Sequence, residues 1–190
     1  MSTATMGSTL NELVAEVSAV SLEKLELILV ADDHVTGLEL MRVVLEDSGY
    51  MVCGVTDGAT AVRYARLIVP DLIIVDLDMP GLDGFGVLRQ LRSEPRLDAT
   101  PVAALSAYSM DENLPRALAA GFAAYFPKPI SLQKLRTGVA QLLKTRAAAL
   151  SQVRGTGVRD KQIPAPPPQD ILTECCATGH ATSAASVGGS

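Results

Sequence analysis

Functional side chains stand directly after short apolar runs in this chain. Asp32 and Asp33 follow Leu25 to Ala31, Asp76 follows Leu72 to Val75, Ser106 follows Val102 to Leu105, and Lys128 lies just past Ala123 to Phe126. Each has an ordinary use on its own: Asp33 and Ser106 could cap helices, and Lys128 could be a solvated surface cation. Together they offer three carboxylates, a hydroxyl and an ammonium. Carboxylates held close together resist ionising in common and call for a compensating cation. Magnesium suits an all-oxygen set that leaves room for waters and phosphate oxygens, so Asp32, Asp33 and Asp76 are its candidate residues. A carboxylate in such a place can attack phosphorus while the metal and Lys128 offset charge on the equatorial oxygens.

That convergence requires a particular arrangement of elements. Met51 to Val55 adds a fifth apolar run to the four above, and all five have strand length. Between and after them, residues of helical period line up: Val35, Leu38, Met41 and Leu45; Ala59, Val62 and Val69; Phe85, Leu88 and Leu91; Leu114 and Leu118; Leu132, Leu135, Val139 and Leu142. Strict alternation of strand and helix implies parallel strands with right-handed crossovers, a doubly wound three-layer α/β sandwich. In such sheets ligands bind beyond the carboxyl ends of the strands, where the five functional side chains fall. Pro115 lacks an amide donor and suits the first turn of a helix, which predicts that the fourth helix begins near it after a longer loop. His34 reads as a surface residue at the start of the first helix.

The chain has 190 residues, 48% of them hydrophobic, which suffices for one substantial core and leaves little for a second domain. We place that domain at residues 25–145. Residues 1–24 form an extension in which Leu10, Leu13, Val14, Val17 and Val20 describe an amphipathic helix. Residues 146–190, with Pro164, Pro166, Pro167 and Pro168 and a Gly, Ser, Ala and Thr finish, read as a disordered tail. Lys144, Arg146, Arg154, Arg159 and Lys161 near its start read as scattered charges on a solvated linker. The net charge of −5 gives no broad field for phosphate backbones, which argues against nucleic acid as a partner. The longest apolar runs are strand-sized, which argues against a membrane span. Cys53, Cys175 and Cys176 lack zinc-site spacing and are too few for a disulfide framework, so reduced thiols in a cytoplasmic compartment are expected.

The acidic pair Asp32-Asp33, the run Asp71-Leu72-Ile73-Ile74-Val75-Asp76-Leu77-Asp78-Met79-Pro80-Gly81-Leu82-Asp83-Gly84, then Ser106-Ala107 and Lys128-Pro129 resemble, in that order, the receiver domain of two-component response regulators. The resemblance covers about Leu25 to Leu143. It implies a five-stranded (βα)5 flavodoxin-like sandwich with strand order 2-1-3-4-5. It also implies a phosphoprotein that carries an aspartyl phosphate on Asp76. Asp33 would be a direct Mg2+ ligand, Asp32 a largely water-mediated one, and the backbone carbonyl of Asp78 a further ligand. Ser106 would bond a phosphoryl oxygen and Lys128 would pair with the phosphoryl group, with the Lys128-Pro129 peptide cis. Tyr125 matches the family's aromatic switch position, where it would follow Ser106 inward on phosphorylation; its plainer reading is a core tyrosine. Asp78 sets an acidic side chain beside the anionic site, able to repel donors or to orient a hydrolytic water.

On this reading the protein is a stand-alone regulator, similar to the chemotaxis regulators, that assists its own phosphorylation and dephosphorylation without being an enzyme. The phosphoryl donor is a sensor histidine kinase or a histidine phosphotransfer protein. Output passes to a downstream protein through the fourth helix, fifth strand and fifth helix of a monomer or weak homodimer. Two alternatives share the residues. Asp76-Leu77-Asp78 also resembles the nucleophile motif of haloacid-dehalogenase-like phosphatases, but there the nucleophile leads the chain and the acidic pair comes last. The other alternative is an unphosphorylated receiver-like binding module.

Overall fold

The apolar runs become strands because both of their faces are covered. The computed structural model describes residues 25–107 and 110–155. Within them run β1 (Leu27–Ala31), α1 (Val35–Glu46), β2 (Met51–Val55), α2 (Gly58–Ile68), β3 (Leu72–Asp76), α3 (Gly84–Arg92), a 3-10 turn at Pro95–Leu97, β4 (Val102–Ser106), α4 (Met110–Ala120), β5 (Ala124–Pro127) and α5 (Leu132–Gly155). All pairings are parallel and the sheet order is β2-β1-β3-β4-β5, a flavodoxin-like topology. Alternate residues feed two cores. Leu29, Ile73 and Val75 meet Val62, Val87 and Leu91 on one face, while Ile28, Val30 and Ile74 meet Met41, Leu45 and Leu135 on the other. Each such side chain contributes roughly 1.5–3 kcal/mol by leaving water.

Several expectations need correcting. Val35 is 68% exposed, and the inner face of α1 is Met41, Val44 and Leu45. Ala59 is exposed, and α2 buries Ala61, Ala65 and Ile68 beside the expected Val62. Pro115 lies inside α4, which begins at Met110; one missing amide costs a single ladder bond, which the helix tolerates, so the proline does not mark its start.

Two corrections concern the ends of the chain. Helix α5 continues past the boundary set at 145 to Gly155, and Arg146 is a half-buried partner of Asp71 rather than a solvated linker charge. Cys53 is disulfide-bonded rather than reduced. The proposed amphipathic helix of residues 1–24 and the tail from 156 onward lie outside the described residues, as do Lys161 and Arg159.

Candidate functional site

The carboxyl ends of β1, β3, β4 and β5 bring the predicted residues together. Asp32 directly follows β1, and its amide donates to the Val55 carbonyl at the end of β2 at 3.1 Å, so the edge strand fixes its position. Asp76 is the last residue of β3 and stands opposite Leu105 of β4. Ser106 closes β4, and its carbonyl accepts the Lys128 amide at 2.7 Å, which ties the β5 end to its neighbour. The Lys128-Pro129 peptide is cis. Asp32, Asp76 and Ser106 are essentially buried, whereas Asp33 keeps a quarter of its side chain in solvent.

One ammonium serves two carboxylates. Lys128 Nζ donates to Asp76 Oδ2 at 2.5 Å and lies 2.9 Å from Asp32 Oδ2, where the contact is an ion pair without hydrogen-bond alignment. Burial pushes the Lys128 pKa down, but the close carboxylates of Asp32 and Asp76 outweigh it and hold the pKa above the ordinary lysine value. Asp76 Oδ1 accepts the Asp78 amide at 3.1 Å. The exposed Asp78 carboxyl is pushed up in pKa, first by desolvation and then by the charge of Asp76, with Lys128 and a hydrogen bond to Ser106 pulling the other way. Tyr125 is buried in the core layer that holds Ala117 and Phe122, facing α4.

The cluster is built to take a cation. Oxygens of Asp32, Asp33 and Asp76 and a ring nitrogen of His34 lie within 4.8 Å of one another. Asp32 Oδ2 and Asp33 Oδ1 are buried without an aligned donor. Three carboxylates against one ammonium leave a negative surplus that a hard divalent ion with oxygen ligands offsets. His34 is 73% exposed, with Nδ1 2.8 Å from Asp33 Oδ1. Sequence reasoning set it aside as a surface residue, although its place beside the acidic pair was the available signal.

Two glycines leave room for the site: Gly84, the last residue of the motif run, and Gly37, which sequence reasoning passed over. A Cβ on Gly84, which opens α3 behind the Asp83 cap, would lie 2.5 Å from the Asp76 carbonyl oxygen and 2.9 Å from Leu77 Cα. Backbone cannot yield there, so the loop after Asp76 closes only on glycine. A Cβ on Gly37 in α1 would press on Asp32 Oδ2 at 3.2 Å. Glycine inside a helix costs up to about 1 kcal/mol relative to alanine, which was the signal to notice.

Comparison with known proteins agrees with this geometry. A model of the response regulator receiver domain matches residues 28–140. The chain is 32% identical over 107 residues to the polar-differentiation response regulator DivK of Brucella anthropi, a match spanning 56% of this chain and 87% of that one. The receiver domain of the Francisella response regulator 1452 superposes with a TM-score of 0.59 at 32% identity, covering 63% of this chain and 98% of that one. The chemotaxis protein CheY4 of Vibrio cholerae superposes with a TM-score of 0.59 at 25% identity, covering 62% and 98%.

Proposed function

The chain belongs to the response regulator receiver family, and on that premise we propose that Asp76 accepts a phosphoryl group from the phosphohistidine of a sensor kinase or phosphotransfer protein, with Mg2+ held by Asp32, Asp33, Asp76 and the Asp78 carbonyl. The observation that carries the reading is Asp76 itself. It is a nearly buried carboxylate at the end of β3, bonded at 2.5 Å to the Lys128 ammonium, the one ammonium of this acidic cluster among the described residues. A carboxylate oxygen of Asp76 forms the new bond to phosphorus as the bond from phosphorus to the donor's imidazole nitrogen breaks. The imidazole leaves as the neutral ring after taking up a proton. The metal, when bound, supplies charge neutralisation at the phosphoryl oxygens and lets the carboxylates admit an anion. Lys128 moves its ammonium from the free carboxylate to the phosphoryl group and carries β5 with it. Ser106 then donates to a phosphoryl oxygen. Tyr125 follows, and the surface of α4, β5 and α5 changes for a downstream protein.

Intact mass spectrometry with a low-molecular-weight acyl phosphate tests this. The expected result is a gain of one phosphoryl group that needs Mg2+, is lost in acid or hydroxylamine, and is absent from Asp76→Asn. An acid-stable adduct, or equal labelling of Asp76→Asn, would overturn it.

A further inference from the structure

His34 belongs to the acidic cluster, yet phosphoryl transfer as set out above gives it no task. It stands directly after the acidic pair at the N-cap of α1, where its side chain makes no cap hydrogen bond. Its amide donates to Asp32 Oδ1 at 2.9 Å, which holds the residue against the carboxylates. On the premise that Asp32, Asp33 and Asp76 hold a divalent cation, we propose that His34 is a nitrogen ligand of the same ion. The imidazole shifts the site's preference from Mg2+ toward a divalent transition ion such as Mn2+.

His34 Nδ1 is 2.8 Å from Asp33 Oδ1, yet that oxygen is buried without a hydrogen-bond partner. A ring N–H this close to a carboxylate would ordinarily align with it. Two ligands of one ion instead aim their lone pairs at a shared point. Around an octahedral ion with donors at about 2.1 Å, neighbouring donors stand ~3 Å apart and opposite donors ~4.2 Å apart. The ring nitrogen and the oxygens of Asp32, Asp33 and Asp76 all lie within 4.8 Å of one another, the size of one coordination sphere. Asp32 Oδ2 is a second buried oxygen without an aligned donor, on a residue that is fully buried. A Cβ on Gly37 would stand 3.2 Å from that oxygen and 4.0 Å from His34 Cβ, so glycine keeps the space between the two side chains open.

The donor set gives the direction of the preference. Mg2+ takes carboxylates, carbonyl oxygens and retained waters, and it gains little from an imidazole. Transition ions accept imidazole more readily, and Mn2+ combines that with the taste for carboxylate and water that this site otherwise serves. Exchanging one water for Nδ1 therefore favours Mn2+ over Mg2+ without removing any carboxylate. The His34 side chain is 73% exposed, so its second ring nitrogen can keep the proton in solvent while Nδ1 binds.

Metal titrations and spin-echo EPR on the full chain test this, with Mn2+ as the probe and Mg2+ as its competitor. Wild type with Mn2+ should show the echo modulation of a directly bound nitrogen. His34→Ala should lose that modulation, and its preference for Mn2+ over Mg2+ should fall ~10-fold while the Mg2+ Kd stays within about threefold. Asp33→Asn should weaken both ions, which locates them at the carboxylate cluster. Nitrogen modulation that is absent from wild type or persists in His34→Ala would overturn the ligand assignment and leave the Mg2+ reading standing. So would an equal loss of both ions in His34→Ala, which would make the histidine only a support for Asp33. Unchanged binding of both ions in Asp33→Asn would overturn the cation site itself, and the assignment with it.

Discussion

Strand β3 is preceded by one nearly buried carboxylate and ends on another. At its amino end, Asp71 accepts the Leu27 amide on Oδ2 at 2.9 Å and the Arg146 guanidinium on Oδ1, while its own amide donates to the Leu27 carbonyl at 2.7 Å. Among the described residues this anion meets the Arg146 cation and both carboxylate oxygens are engaged, although Arg146 Nε is itself buried without a hydrogen-bond partner. At the other end, Asp76 shares Lys128 with Asp32, and carboxylate oxygens of Asp32 and Asp33 lack aligned donors. Burial is alike at the two ends, so burial does not mark function. What separates them is balance: the clamp is electrically closed, and the cluster keeps an anionic surplus that only an added cation offsets.

The sharpest break between the two ends comes from single substitutions. Asp76→Asn should abolish phosphoryl labelling in mass spectra while leaving the urea midpoint nearly in place, because it relieves a carboxylate cluster that still offers Lys128 a partner in Asp32. Asp71→Ala should do the reverse, retaining labelling but losing about 3–5 kcal/mol of stability by leaving Arg146 uncompensated. A chain ended at residue 145 should be destabilised like Asp71→Ala in urea titrations, whereas one ended at 155, compared under reducing conditions, should not. If both aspartate variants lose stability equally, the distinction between clamp and cluster fails.

Coupling out of the site is expected to be smaller. Ser106→Ala and Tyr125→Ala should be non-additive in how far phosphorylation alters downstream-partner affinity, with a coupling of ~1–3 kcal/mol in a double-mutant cycle. Strict additivity, with both single variants labelled normally, would mean that the signal leaves by another route. Smallest is a pH effect from Lys128. Its pKa is raised in the folded state, so its stabilisation is complete below the ordinary lysine value and fades as pH climbs through the raised one. Stability curves in that alkaline window should slope more steeply for wild type than for Lys128→Ala.

The acidic cluster was legible because its members each follow an apolar run, and a parallel sheet sends every run's end to the same edge. The clamp was not. Asp71 and Arg146 are separated by 75 residues, and nothing in the local pattern around Arg146 distinguishes a partner from a solvated charge. The helix that carries Arg146 runs into a stretch rich in Ala and polar residues, where apolar period fades although helix propensity persists. Pro115 misled for the related reason that a local signal was given more weight than the helix on either side of it. Tyr125 was placed on the right strand, and its two readings needed the fold to show that it points into the α4-facing core.

The dispersal of the cluster over four strand ends has a consequence for synthesis. Asp32 and Asp33 leave the ribosome first and must wait roughly a hundred residues for Lys128, an interval of ~5–20 s at ordinary elongation rates. Throughout it the nascent chain displays these carboxylates without their ammonium, since neither Lys128 nor the last strand yet exists. The cluster therefore assembles late and at once rather than by degrees, and any partner that recognises it whole would be blind to unfinished copies of the chain.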